Sequence, residues 1–283
     1  MASRIVNQSL KFEYYDGCPP DDAPLGSTTG WRKLPFLLFS VVLDGEVLLR
    51  IKKSDDVLIK KGEAWLVPAG LMHKIDIISS KRAWLMWCHI NFTIMGTVDL
   101  ISQLDIPVVI GAKEAIPLTN TCKDLVTLDA DKVLNPLRMA VRQKELGFRF
   151  LTNLMDLSKM RFERIDILIS DYDLEPVFEY IKSHLADAMT IEDLARIACR
   201  SRSGLHQTFR EIIGKTPMEF IRELRIQSAQ LLLAGSDLRI GEIAERVGYH
   251  DPFHFSRTFK VSCGVSPSRF RWEQRQAPWS GEH

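Results

Sequence analysis

LHQTFREIIGKTPMEF (residues 205–220) and FSRTFKVSCGVSPSRF (residues 255–270) are one segment written twice. Phe209 answers to Phe259, Gly214 to Gly264, Pro217 to Pro267 and Phe220 to Phe270, each pair 50 positions apart. Upstream, Ile191, Leu194 and Ala195 answer to Ile240, Ile243 and Ala244 at a spacing of 49, so the intervening turn differs by one residue. Residues from about 190 to 271 therefore contain one helical unit used twice.

Each unit reads as helix, short turn, helix. Ser201 and Asp251 stand at corresponding places and are good N-caps for the second helix, with Pro252 at its first position. Thr190 to Asp193 and Thr216 to Glu219 are capping-box patterns. The helix opened by Pro217 is expected to reach about Ala234 and to stop at Gly235, a length of roughly 27 Å.

Turning each second helix at 100° per residue separates two faces. Leu205, Phe209 and Ile212 lie inward in the first, Phe255, Phe259 and Ser262 in the second. Ser203, His206, Gln207 and Arg210 lie outward in the first; Phe253, Ser256, Arg257 and Lys260 take the same places in the second. The interior is repeated and the exterior varied. An exposed basic face is commonly just solvated, but two reading heads on one scaffold need this pattern. The second helix of a helix-turn-helix enters the major groove and presents side chains near its N-terminus. Gln207 suits adenine, Arg257 suits guanine and Phe253 suits a thymine methyl. Arg210 and Lys260, one turn on, suit phosphates, which position without specifying. Asp251, at the start of the second such helix, completes the expected DNA-binding set. Two helices about one duplex turn apart, roughly 34 Å, would read successive major grooves.

The stretch IGEIAERVGYHDPFHFSRTFKVSCGVSPSRFR resembles the second helix-turn-helix of the AraC/XylS family of transcriptional regulators. The resemblance rests on Gly248-Tyr249, Asp251, the Phe-Ser-Arg-x-Phe-Lys run, Gly264, Ser266-Pro267 and Phe270-Arg271, and covers about 100 C-terminal residues. The first unit departs from the family where Cys199 stands in place of a frequent glycine and Gly204 in place of a larger residue. The resemblance implies that Ser203, His206, Gln207, Phe253, Ser256 and Arg257 face DNA. It also implies an effector, often a carbohydrate or related metabolite, and RNA polymerase as a partner.

The 283-residue chain as a whole is compatible with that reading. Its net charge of +1 gives no global pull toward a polyanion, so local charge must do the work. The five cysteines (Cys18, Cys88, Cys122, Cys199, Cys263) are scattered without Cys-x-x-Cys spacing, which favours a reducing compartment over a disulfide framework or zinc ribbon. The N-terminus shows no apolar signal segment, and the longest apolar runs are too short to span a bilayer; a cytoplasmic protein is expected.

The first third reads as strands. PFLLFSVVLDGEVLLRI is two apolar runs across Asp44-Gly45, a hairpin signal; Lys61-Gly62 and Ser79-Ser80-Lys81 mark further turns. Strands at such spacing suggest a sandwich or barrel. GEAWLVPAGLMH, with Gly62, Pro68, Gly70 and His73, resembles a cupin-type half-motif. The expected fold is α+β: a cupin-like β-barrel over residues 1–125, a helical dimerisation or linker segment over 126–173, and an all-α domain with two helix-turn-helix units over 174–283. Trp31, Arg32, Trp65, His73, Trp84, Trp87 and His89 are candidates to line an effector cavity, since aromatic faces with a few polar groups suit a sugar or an aromatic molecule. The segment GEVLLRIKKSDD holds no histidine, so His73 is not joined by the ligands a cupin metal centre takes, and no metal or cofactor is expected. No nucleophile–base pairing or phosphate loop stands out. Asn135-Pro136 opens a helix on which Leu137, Val141, Phe148, Leu151 and Met155 recur, either packing on their own sheet or joining two subunits of a homodimer. The stretch MRFERIDILISDYDLEP is expected to lead into the last domain. The leading reading is a regulator that binds promoter DNA. The rivals are a metal-dependent cupin enzyme with a helical appendage and an interaction protein that has lost DNA binding.

Overall fold

The computed structural model describes residues 10–79, 82–94, 97–130, 135–158 and 174–275. The stretch 160–173, expected to lead into the helical domain, lies outside them. The described residues fall into two units, one chiefly of 12–92 and 100–158, the other chiefly of 174–275.

The first unit is two sheets. The larger contains β1 (Lys11–Ala23), β2 (Leu37–Asp44), β5 (Ala64–Val67), β7 (Ala83–Ile94), β8 (Val98–Asp99) and β9 (Val109–Ile110), in the order β1-β7-β2-β5-β9 with β8 on β7. The smaller contains β3 (Glu46–Ile51), β4 (Val57–Lys60) and β6 (His73–Ile77), in the order β4-β3-β6. Asp44-Gly45 does not close the expected hairpin. β2 pairs antiparallel with β5 and β7, and β3 with β4 and β6, so the turn carries the chain from one sheet to the other. Gly45 has φ 89°, and a Cβ on it would stand 2.5 Å from Ser79 Oγ. Lys61-Gly62 is a corner of the same kind, while Ser80-Lys81 of the expected turn lies outside the described residues. Turn chemistry specifies that a chain reverses; it does not specify whether the flanking strands pair. The resulting zigzag gives the cupin-like arrangement. Phe39, Val41 and Trp65 from the larger sheet, and Val47, Leu49, Ile59, Ile75 and Ile77 from the smaller, are all buried.

Two helices follow, α1 (Ala112–Ala130) and α2 (Pro136–Leu157). Asn135 caps α2 as expected, its side chain accepting from Leu137 N at 2.9 Å. The face of α2 that packs on its own unit is not centred on the expected stripe. It is Leu146, Gly147, Phe150, Leu151 and Leu154. Phe150 meets Phe39 edge-on at 5.1 Å, and Gly147 lies so close to the Phe12 ring that a Cβ would sit 2.3 Å from it. That close approach sets the rotation of the helix. Of the expected stripe only Leu151 is buried, while Leu137 and Val141 are 73% and 61% exposed.

The second unit is helical: α3 (Glu175–Ser183), α4 (Ile191–Ile197), α5 (Arg202–Ile212), α6 (Pro217–Gly235), α7 (Ile240–Arg246), α8 (Pro252–Cys263) and α9 (Pro267–Arg275). Both capping boxes form, with Thr190 accepting from Asp193 N at 3.2 Å and Thr216 from Glu219 N at 3.3 Å. Helix α6 includes Gly235 and ends at Ser236, whose extended φ of −143° replaces the expected glycine stop.

The repeat extends to ring geometry. Phe209 and Phe220 meet T-shaped at 5.9 Å, and Phe259 and Phe270 do so at 5.5 Å. Phe178 completes the first cluster, and Phe255 and Tyr249 the second. Helix α6 serves both cores: Phe220 and Ile221 join the first, Ile226, Ala229 and Leu233 the second. The inward set of α8 ends on Cys263, not on Ser262; Phe255, Phe259 and Cys263 follow an i, i+4, i+8 seam.

Gly214 and Gly264 are both left-handed, with φ 78° and 84°. The turns inside the two units also correspond, but there Gly248 at φ 83° is answered by Cys199 at φ 50°. A side chain bearing a Cβ is strained in this region by about 1–2 kcal/mol, against a smaller entropic cost for glycine. Cys199→Gly is expected to stabilise the helical unit by up to about 1 kcal/mol. Equilibrium urea unfolding of the two proteins checks this; a loss of stability would mean that the Cys199 turn is not strained.

Candidate nucleic-acid interface and effector pocket

Helices α5 and α8 begin alike. Ser201 Oγ accepts from Gly204 N at 3.1 Å, and Asp251 Oδ1 from Phe253 N at 2.9 Å. Each helix then buries one side and bares the other. On α5, Leu205, Phe209 and Ile212 are buried, Ser203, Gln207 and Arg210 are exposed, and His206 is half-buried. On α8, Phe253, Arg257 and Lys260 are exposed with Asp251, and Ser256 is half-buried. Phe253 is 83% exposed at the first turn, an apolar side chain with no core to join. Arg257 and Lys260 make no ion pair among the described residues, so both charges are available to an outside partner. The outer face of α5 is differently furnished: Gln207 Nε2 donates to Glu211 Oε1 at 2.8 Å.

Arg225, on α6, fixes the frame around these helices. Its guanidinium donates to the carbonyls of Leu185 (2.9 Å) and Asp187 (2.6 Å), which precede α4, and of Gly248 (3.1 Å), in the turn before α8. It also lies 5.9 Å from the Tyr249 ring centroid. Gly248 admits this contact because a Cβ there would stand 2.7 Å from the guanidinium carbon. Neither residue was among the sequence-predicted site residues. The pattern shows an arginine on a helix but not the carbonyls that converge on it.

The first unit holds a small cleft, part of it open to solvent. Arg32, Trp65, Trp87 and His89 line it with Leu38, Ser40 and Ile75. His73 is buried behind it, bridged to Arg32 through backbone hydrogen bonds of 2.9 and 3.0 Å. Trp31 and Trp84, also expected here, are 47% and 44% exposed and are not part of the lining. Strand geometry separates them, since Trp84 is an odd number of residues from Trp87 and His89 and so faces the other side of β7.

Hydrogen bonding fixes the tautomers of both histidines. His89 Nδ1 lies 2.5 Å from Asp16 Oδ1, and His73 Nδ1 lies 3.0 Å from Leu71 O. A carboxylate and a carbonyl only accept, so each Nδ1 carries the proton and each Nε2 presents a lone pair. Both Nε2 atoms are buried without a partner among the described residues, as is the Trp65 Nε1 donor. Of these, His89 and Trp65 line the cleft, which thus holds an acceptor and a donor beside indole faces. Burial drives the His73 pKa down to about 3, helped by the Arg32 charge. Burial also depresses His89, against the opposing pull of Asp16. Asp16 could not be foreseen; it comes from β1, 73 residues away in sequence.

Both imidazoles are therefore neutral at pH 7. The unfolded chain takes up a proton at His73 near pH 6.5 while the folded one does so only near 3. Stability is whole above about 6.5 and falls as pH drops through this window, by about 2 kcal/mol at pH 5 for one such group. His73→Asn is expected to remove that part of the pH dependence in urea unfolding at pH 7 and 5. An unchanged slope would show that His73 is not the responsible group.

Residues 194–273 match a protein family described as helix-turn-helix domain. The MmsAB operon regulatory protein of Pseudomonas aeruginosa is 28% identical over 242 residues, 82% of this chain and 74% of that protein. The arabinose operon regulatory protein of Salmonella typhimurium is 38% identical over 94 residues; the match spans 33% of this chain and about a third (34%) of that protein. Among solved structures, unsaturated fatty acid bound ToxT from Vibrio cholerae aligns over 94% of this chain and 96% of its own with a TM-score of 0.54, at 15% identity, which is a likeness of fold. The helix-turn-helix match over residues 194–273 is in line with the AraC/XylS resemblance of the helical region. No helix among the described residues is long and apolar enough to cross a membrane.

Proposed function

We propose that the chain is a sequence-specific DNA-binding transcription regulator, acting as an activator, whose N-terminal cleft senses a small molecule. One observation carries this reading: two helices with matching buried seams bear different exposed faces, and Phe253 stands on the second face with no partner. Ser203, His206, Gln207, Phe253, Ser256 and Arg257 are the base-facing residues, Arg210 and Lys260 the phosphate contacts. Asp251 shapes the start of α8. The reading assigns the chain no catalytic step and places it in the cytoplasm, with RNA polymerase as the downstream partner.

The effector fits the cleft by chemistry. The His89 lone pair calls for a hydroxyl donor, the Trp65 indole N–H calls for an acceptor, and indole faces suit the apolar side of a sugar ring or related metabolite. Arg32, Trp65, Trp87 and His89 are the contacts, with His73 behind. Effector binding would act by favouring one of two conformational states.

Homodimerisation through α2 is part of the same proposal, supported by the exposed Leu137 and Val141 one turn apart. Replacing both with Asp is expected to turn a dimer into a monomer in sedimentation velocity. A dimer that persists would place the interface elsewhere.

Removing a bidentate Arg–guanine contact costs about 1–3 kcal/mol at one base pair, whereas a lost phosphate contact weakens all sequences alike. Arg257→Ala is expected to relax preference at one position of the bound DNA. Lys260→Ala is expected to lower the slope of log affinity against log salt by about one unit without altering preference. Fluorescence-anisotropy titrations against selected and random duplexes check both. Equal loss of affinity for both duplexes with Arg257→Ala would remove it from the base-reading set.

A further inference from the structure

The two reading helices differ in one respect that matching does not predict. On α5 the outward row runs Ser203, Gln207, Glu211; on α8 the same row runs Phe253, Arg257, Val261. Gln207 Nε2 donates to Glu211 Oε1 at 2.8 Å. At the equivalent place Val261 is 82% exposed and has no group that could hold Arg257. One head is braced and the other is free.

We propose that Glu211 is a positioning residue that sets the base preference of the first helix by fixing the Gln207 carboxamide. The inference rests on the DNA-reading assignment of α5. A carboxamide is nearly symmetric in shape, and flipping it exchanges donor for acceptor. Unbraced, Gln207 can meet a base edge in either sense. The Glu211 carboxylate only accepts, so the amide nitrogen must face it and Oε1 must face away. One amide proton goes to Glu211. The other proton and Oε1 remain as a donor–acceptor fork, the arrangement that matches adenine N7 and N6 in the major groove. The opposite flip would bring Oε1 against the Glu211 oxygen, acceptor against acceptor, and is disfavoured. Arg257 needs no such brace, because a guanidinium offers only donors and cannot be turned the wrong way.

The test is selection of binding sites from a random duplex library by the full-length protein, followed by titration of the selected duplex and single-base variants. The wild type is expected to prefer adenine at one position under α5. Glu211→Ala should lower that preference roughly tenfold, toward the level of Gln207→Ala. It should leave the preference belonging to Arg257 unchanged. Glu211→Gln, which can donate as well as accept and so holds Gln207 in either sense, should not restore the preference. In a double-mutant cycle, Glu211→Ala should add nothing further to Gln207→Ala. Wild-type discrimination in Glu211→Ala, or fully additive losses, would overturn the brace. A wild type that selects no sequence at all would overturn the DNA-reading assignment itself, and the brace with it.

Discussion

The Arg225 guanidinium holds three backbone carbonyls that no sheet or helix ladder satisfies. Leu185 and Asp187 belong to the approach to the first helix-turn-helix, and Gly248 to the turn inside the second. A charge-assisted bond to each makes α6 a strut bolted at both sides, and the directional fork of arginine allows this where a lysine would not. Half-burial is the cost: desolvation lowers the guanidinium pKa, yet the group stays charged because it is so strong a base. Gly248 is required twice here, once for φ 83° and once for the room it gives the guanidinium. The spacing of the two reading helices therefore depends on backbone atoms, which side-chain substitution cannot easily retune.

That arrangement frees the outer faces. The buried seams of α5 and α8 are held by T-shaped phenylalanine pairs with nearly the same geometry in both units. Ser203 and Phe253, or Gln207 and Arg257, can then differ without disturbing the interior. Interior repetition and exterior variation are two sides of one packing solution.

Much of the helical half was legible because its signals are local. Asn135, Thr190, Ser201, Thr216 and Asp251 all cap where their side-chain chemistry says they should. Proline at the first turn and apolar spacing supplied the rest. The errors arose where a long-range contact decided. Asp44-Gly45 has hairpin chemistry at a sheet-to-sheet corner. Helical spacing alone left open whether Leu137 and Val141 pack on the sheet or join subunits, and packing of α2 against Phe12 and Phe39 leaves both exposed. Trp84 is a separate case, since strand alternation alone separates it from Trp87 and His89. Asp16 and Arg225 carried no sequence signal, because their partners come from distant segments. Cys199 was marked in the sequence by the family resemblance, where a glycine is frequent, and its left-handed backbone answers that of Gly248.

Helix α6 lends one end to each aromatic core. Ile226, Ala229 and Leu233 cannot leave the second without straining Phe220 and Ile221 in the first. Half of a 19-residue helix, about ten residues, is too short to persist unsupported in water. Neither reading unit can then melt on its own, and the pair should behave as a single cooperative foldon. On the proposed DNA-reading role, neither arm would then be loose while the other is held.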